Sequence, residues 1–188
     1  LVLSGQGTLI VNLNSGSYDA SQWVHSSGSQ VEVEFLGNDA SQTIVGTSGF
    51  DRFSGGFGSD VFTGGAGRDQ FEAGDGQHVV TDFNVGEDFV DLTDMNFTSF
   101  AQVLPYLSQV GADVVFSRLF GGVAQTMTLR NVVLSDLTAA NFVFQDDIED
   151  DTRIGTDFAD ELFGAFGDDV LEGRGGNDIL IAGSGNDL

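Results

Sequence analysis

The 188-residue sequence sets 29 acidic residues against 6 basic ones, a formal net charge of −23, with 27 glycines, one proline and no cysteine. That charge argues against nucleic acid, anionic lipid headgroups and polyanionic polysaccharides as partners, since each is held by basic patches, and no apolar run is long enough for a transmembrane segment. All six basic residues are arginine and aspartate outnumbers glutamate 22 to 7, a bias that solubility alone does not require but ligand-bearing turns do.

Residues 1–36 read as β-strands leading into a larger array. Thr8 to Leu13 and the cleanly alternating Val31 to Leu36 are the strands, with turn residues at Asn14–Ser17 and Ser26–Ser29. Trp23 is expected in core or cap packing and His25 on the surface. From Gly37 a nine-residue spacing takes over. GNDASQTIV (37–45) is a degenerate coil with Gln42 at the sixth place, followed by GTSGFDRFS, GGFGSDVFT and GGAGRDQFE (46–72). The last two fit G-G-x-G-x-D-x-U-x, U being a large apolar residue, and the first departs only at Thr47. AGDGQHVVT (73–81) keeps the turn glycines and Val80 but puts His78 where the aspartate belongs, the mark of a repeat losing its metal at the end of the array.

Residues 93–145 read as a cap. A short helix runs through Phe100, Val103, Leu104 and Leu107 with Pro105 perturbing its middle, and two alternating strands, 113–118 and 125–130, form a hairpin through Gly121-Gly122. An acidic linker spans 146–153. Repeats then return over 154–188 as GTDFADELF, GAFGDDVLE, GRGGNDILI and a truncated AGSGNDL, with Leu162, Leu171 and Leu180 as the apolar column. Leu1, and Leu188 inside a repeat, read as the ends of a piece of a longer protein.

The period dictates the architecture. Glycines at places one, two and four suit a tight turn with positive φ, and the last three residues form a short strand whose middle side chain points inward. Phe53, Phe62 and Phe71 make that inward column, in register with Phe35, Ile44 and Val80. One nonapeptide cannot bury its own phenylalanine, so the repeats stack into a solenoid. With two nonapeptides per coil, Asp51 lies over Asp69, and the carboxylates sit about 4.7–4.9 Å apart. At that distance they repel by about 0.8 kcal/mol even in water. A cation between them reverses the sign, and hard oxygen donors select calcium.

These nonapeptides resemble the RTX, or haemolysin-type calcium-binding, repeats. The resemblance implies an all-β fold: a right-handed parallel β-roll solenoid (37–92) with calcium in its turns, an α plus β-hairpin cap, and the start of a second roll. Each ion is expected to take carbonyls from places two and four and the aspartate of one turn, with carbonyls from places one and three and the aspartate of the turn above. Carried over, one site is Thr47, Gly49 and Asp51 with Gly64, Ala66 and Asp69. Gly56, Gly58 and Asp60 serve the opposite edge, and Gly65 and Gly67 the next rung. Residues 82–92, DFNVGEDFVDL, look like the stretch that closes the roll in serralysin-type secreted proteases, which makes Asp82 and Asp88 candidate ligands and Asp91 a further one. In the second block the set is Thr156, Phe158 and Asp160 with Gly173, Gly175 and Asp178, and Gly164, Phe166, Gly167 and Asp169 with Ala182, Ser184 and Asp187.

No HExxH helix, P-loop lysine or cysteine nucleophile is present, and the two histidines stand 53 positions apart. The fragment is therefore expected to be non-catalytic, with several calcium ions as its cofactor. The resemblance implies secretion through type I machinery to an extracellular or cell-surface location. The parent protein reads as a surface-layer, adhesin or other structural protein with self-assembly or a cell-surface partner. A secreted protease, lipase or polysaccharide epimerase using this piece as its folding appendage is the alternative, and a pore-forming toxin has the least support.

Overall fold

The structure is a computed structural model that describes residues 1–14, 16–26, 30–74, 76–144, 152–155, 161–166, 169–184 and 188. It divides into two compact units, Leu1–Val143 and Phe144–Leu188. The fold is all-β and built on parallel strands, as the repeats predict. None of the described helices is long and apolar enough to cross a membrane.

In the first unit the chain winds alternately through two facing sheets. One sheet contains, in spatial order, Gln6–Asn12, Gln30–Leu36, Asp51–Ser54, Gln70–Glu72, Phe89–Asp91 and Phe142–Val143. The other contains Gly16–Asp19, Gln42–Val45, Val61–Thr63 and Gln77–Val80, then the cap strands Val123–Leu129, Asp113–Phe120 and Leu107–Val110. Phe53 pairs with Phe71 and Thr43 with Val61. Each partner stands at the same place two repeats further on, so two nonapeptides make one coil.

Between the sheets the apolar column is dry. Phe35, Ile44, Phe53, Phe62, Phe71 and Val80 are fully or almost fully buried. Rings in successive coils stack, Phe35 on Phe53 at 5.2 Å and Phe53 on Phe71 at 5.0 Å between centroids. Phe62 meets Phe53 and Phe71 across the roll at 5.5 and 6.2 Å. The turns that carry the chain from sheet to sheet are as tight as the glycines suggest: Gly65 and Gly67 hold φ of 102° and 112°.

The strands Gln6–Asn12, Gly16–Asp19 and Gln30–Leu36 are coils of this same roll, while Val2–Leu3 and Val24–His25 pair in a sheet of their own. Leu9 pairs in parallel with Val33 and Val11 with Phe35, while Tyr18 pairs with Ile44. These coils are longer than a pair of nonapeptides, so no fixed period announces them. Trp23 packs edge-on against Tyr18 at 5.9 Å, in keeping with its expected packing role. His25 is not a free surface residue: its Nε2 lies 3.0 Å from Thr47 Oγ1.

The cap extends the second sheet rather than lying across it. Val123–Leu129 pairs in parallel with Gln77–Val80, and the hairpin then turns antiparallel. The helix is shorter than the sequence suggests. It covers Phe100–Val103, a 3-10 turn takes Leu104–Tyr106, and Leu107 already belongs to a strand. Pro105 supplies no N–H to continue the helical ladder.

In the second unit, Thr152–Ile154 pairs with Val170–Glu172 and Glu161–Phe166 with Ile179–Ser184, both parallel and again two repeats apart along the chain. Leu171 is buried, whereas Leu180 is 46% exposed, since among the described residues no strand pairs with the far side of Ile179–Ser184.

The stacked column sets the stability of the first unit. Phe62→Ala, measured by denaturant unfolding in saturating calcium, is expected to cost about 3–5 kcal/mol, while substitution of the exposed Phe57 on the neighbouring turn is expected to change stability by less than about 0.5 kcal/mol.

Candidate metal centre

The sixth residue of each nonapeptide ends the turn just before the strand begins, so its side chain projects into the space between successive turns. Two columns result, one on each edge of the roll. On the first edge the Asp51 N–H donates to Asp69 Oδ1 at 3.0 Å, and the Asp69 N–H donates to Asp88 Oδ1 at 2.9 Å. On the second, the Gln42 N–H donates to Asp60 Oδ1 at 2.7 Å, and His78 stands beyond Asp60, its Nδ1 3.0 Å from Asp60 Oδ2. Asp51, Asp60, Asp69, Asp88, Gln42 and His78 are all buried.

One oxygen each of Asp60, Asp69 and Asp88 thus fixes the turn below it, while the Asp51 carboxylate is held by Thr47 of its own turn. At Asp69 and Asp60 the other oxygen, Oδ2, is buried without a hydrogen-bond partner. A buried carboxylate oxygen left so is costly unless a cation meets it. The glycines bring carbonyl and carboxylate oxygens of adjacent turns close together. A Cβ added at Gly46 would meet the Gly64 carbonyl oxygen at 2.5 Å and Asp51 Oδ2 at 2.6 Å, so these two oxygens face the same small space. A Cβ at Gly67 would meet the Gly49 carbonyl oxygen at 2.6 Å, and one at Gly65 would overlap the Thr47 carbonyl oxygen. Among the described residues no three acidic, imidazole or thiol side chains converge, so an ion here takes most of its ligands from backbone carbonyls. Carbonyls with one or two carboxylates form an all-oxygen shell of the kind calcium prefers.

Electrostatics point the same way. Burial lifts the Asp51 carboxyl to about 7 and the Asp60 and Asp88 carboxyls to about 6. Asp69 rises furthest, to about 9, chiefly through burial and then through the charges of Asp51 and Asp88. Burial acts on His78 in the opposite sense, lowering it to about 4 and keeping the imidazole neutral. The metal-free column therefore resists carrying its full charge, and a divalent ion relieves both burial and mutual repulsion.

Thr47, Gly49, Asp51, Gly64 and Asp69 lie on adjacent turns of the first edge, with Ala66 exposed on the turn of Gly64. Gly56 and Gly58 hold φ of 72° and 104° over Asn38 and Ala40, on the edge that carries Asp60. Asp88 completes the first column. Asp82 stands at its exposed rim, where its carboxylate accepts the Gly64 and Gly65 N–H groups. Asp91 lies on the outer face of its sheet, bonded to Thr93 and Gln70.

Two contributors have no signal in the repeat consensus. Thr47 fills a glycine place, yet its N–H donates to Asp51 Oδ2 at 2.6 Å and its hydroxyl to the same carboxylate at 3.0 Å. Gln42 replaces an aspartate, but its Oε1 is buried, unpartnered, and shares the space beside Gly37 with the Gly55 carbonyl.

The second roll is less regular. Gly173, Gly175 and Asp178 lie in a turn with φ of 65° at Arg174 and 117° at Gly176, and Asp169 is buried. Gly164, Phe166, Ala182 and Ser184, expected in turns, instead continue the strands Glu161–Phe166 and Ile179–Ser184. Ala165 stands at a second place and Ala182 at a first place, where the repeat consensus has glycine. Thr156, Phe158, Asp160, Gly167 and Asp187 lie outside the described residues.

A family model for the RTX calcium-binding nonapeptide repeat matches residues 36–77 and 154–188, in four copies. The chain carries RTX calcium-binding repeats. The matched stretches contain both aspartate-bearing edges of the first roll up to Gln77, and the whole second block. No curated protein matches the chain.

The raised carboxyls fix the sign of the pH response. Because the folded values exceed the ordinary carboxylate value of about 3.9, the metal-free fold binds more protons than the unfolded chain. Their stabilising contribution is full below that value and is lost as pH rises through about 6 for Asp60 and Asp88, about 7 for Asp51 and about 9 for Asp69. In calcium-free buffer the chain is expected to retain more β signal in circular dichroism at pH 5 than at pH 8, and saturating calcium is expected to remove or reverse the difference.

Proposed function

We propose that this chain is a calcium-triggered folding module of an extracellular bacterial protein, exported through a type I route and serving a structural, surface-layer or adhesive role rather than a catalytic one. Several ions bind, at least one on each edge of the first roll. The observation that carries the reading is the buried column Asp51–Asp69–Asp88, in which the Asp69 and Asp88 carboxylates each accept the preceding aspartate's amide with one oxygen and Asp69 Oδ2 is left unpartnered. Where calcium is scarce, as in a cytosol, burying this column is unfavourable and the repeats stay open for export. Where calcium is abundant, its binding free energy becomes folding free energy.

The net charge of −23 supports a partner that is not a polyanion. The roll-cap-repeat order supports a structural parent, in which such units recur along one chain.

Circular dichroism of the chelator-treated chain, titrated with calcium and separately with magnesium, tests the reading. A cooperative gain of β signal with calcium alone, undone by chelation, is the expected result. A chain equally folded in chelator, or one that responds alike to both ions, would sink it.

A further inference from the structure

The second edge of the roll differs from the first in one donor. Where the first column continues from Asp69 to Asp88, the second continues from Asp60 to His78. Both His78 ring nitrogens and Asp60 Oδ2 are fully buried and without hydrogen-bond partners. Nδ1 approaches Oδ2 to 3.0 Å, a contact without hydrogen-bond geometry.

Three further features describe the same space. A Cβ at Gly76 would meet His78 Nε2 at 2.7 Å and the Gly56 carbonyl oxygen at 2.9 Å, which places a carbonyl at the far edge of the ring. Gly55 gives the ring its seat, since a Cβ there would meet His78 Cε1 at 2.9 Å. Phe62 closes the inner side at 5.4 Å between centroids.

We propose that the rung between Asp60 and His78 is a separate cation site that takes a borderline divalent transition metal, zinc foremost, in place of calcium. An imidazole nitrogen is a poor ligand for calcium, which wants oxygen, and a good one for zinc. Two ligands each about 2.1 Å from one ion lie about 3.0–3.4 Å apart in octahedral to tetrahedral arrangements, which the Asp60–His78 separation matches. The roll would then be a two-metal device, with calcium on the all-oxygen first edge and zinc where the repeat array meets the cap strand Val123–Leu129, which pairs with the His78 strand.

The test uses the whole chain, refolded from chelator in saturating calcium with stoichiometric zinc and then desalted. One zinc retained per chain, with imidazole nitrogen resonances shifted for His78 and not for His25, is expected. His78→Gln should lower zinc affinity by about tenfold or more while leaving the calcium-dependent β signal in place. His78→Asp, which restores the repeat, should lose zinc and gain one calcium. No zinc retained by a calcium-folded chain, equal retention by His78→Gln, or an unchanged calcium count in His78→Asp would each overturn the site. A chain that holds zinc through His78 but folds without calcium would leave this site standing and remove the calcium-triggered reading.

Discussion

Everything in the first roll depends on carboxylates being stacked out of water at the spacing of β-strands. The backbone ladder fixes that spacing, and the ladder is itself fixed by a nonapeptide period doubled into a coil of two repeats. Asp51, Asp69 and Asp88 cannot move apart without breaking the amide bonds they accept or donate. Nor can they escape to solvent, since the glycine turns that would open the edge are the same turns whose carbonyls point inward. The remaining ways to relieve the charge are protonation, which the raised carboxyl values express, and a cation. Calcium is therefore part of the fold's energetics and not an addition to it.

The phenylalanine column supplies the opposing, metal-independent drive. Phe35, Phe53, Phe62 and Phe71 are buried to 1% exposure or less, and each such side chain contributes roughly 1.5–3 kcal/mol when removed from water. The two terms are coupled by geometry: the strand that buries each ring starts at the carboxylate-bearing residue or the one after it. A coil cannot therefore form its core and leave its charge outside. This coupling makes a sharp response to calcium the natural behaviour of the array, and it makes substitutions at the sixth place informative. Gln42 keeps an oxygen and drops a charge, while His78 exchanges oxygen for nitrogen.

Much of this was legible in the sequence because period and chemistry agree. The eighth-place phenylalanines and sixth-place aspartates of residues 46–72 specify coil size, inward face and edge columns together. What was not legible had no period to carry it. The Gln6–Asn12 and Gln30–Leu36 strands pair at a spacing set by loop length rather than by repetition. The helix through Leu107 fails at Pro105, and Leu107 is taken by sheet pairing with Phe116. His25 reads as an isolated polar residue until the coil brings it to Thr47. In the second block the strands Glu161–Phe166 and Ile179–Ser184 run through places expected in turns, although the sequence there keeps the repeat spacing.

The central claim is that the buried aspartate column holds only when calcium is present. Hydrogen exchange at the Asp51 and Asp69 amides, which donate to the carboxylates of the next turn, reads that column directly. Comparing the chain in saturating calcium with the same chain in chelator, the account predicts that both amides gain protection by on the order of a hundredfold or more with calcium, as members of a cooperative unit do. Equal protection in the two conditions would contradict it.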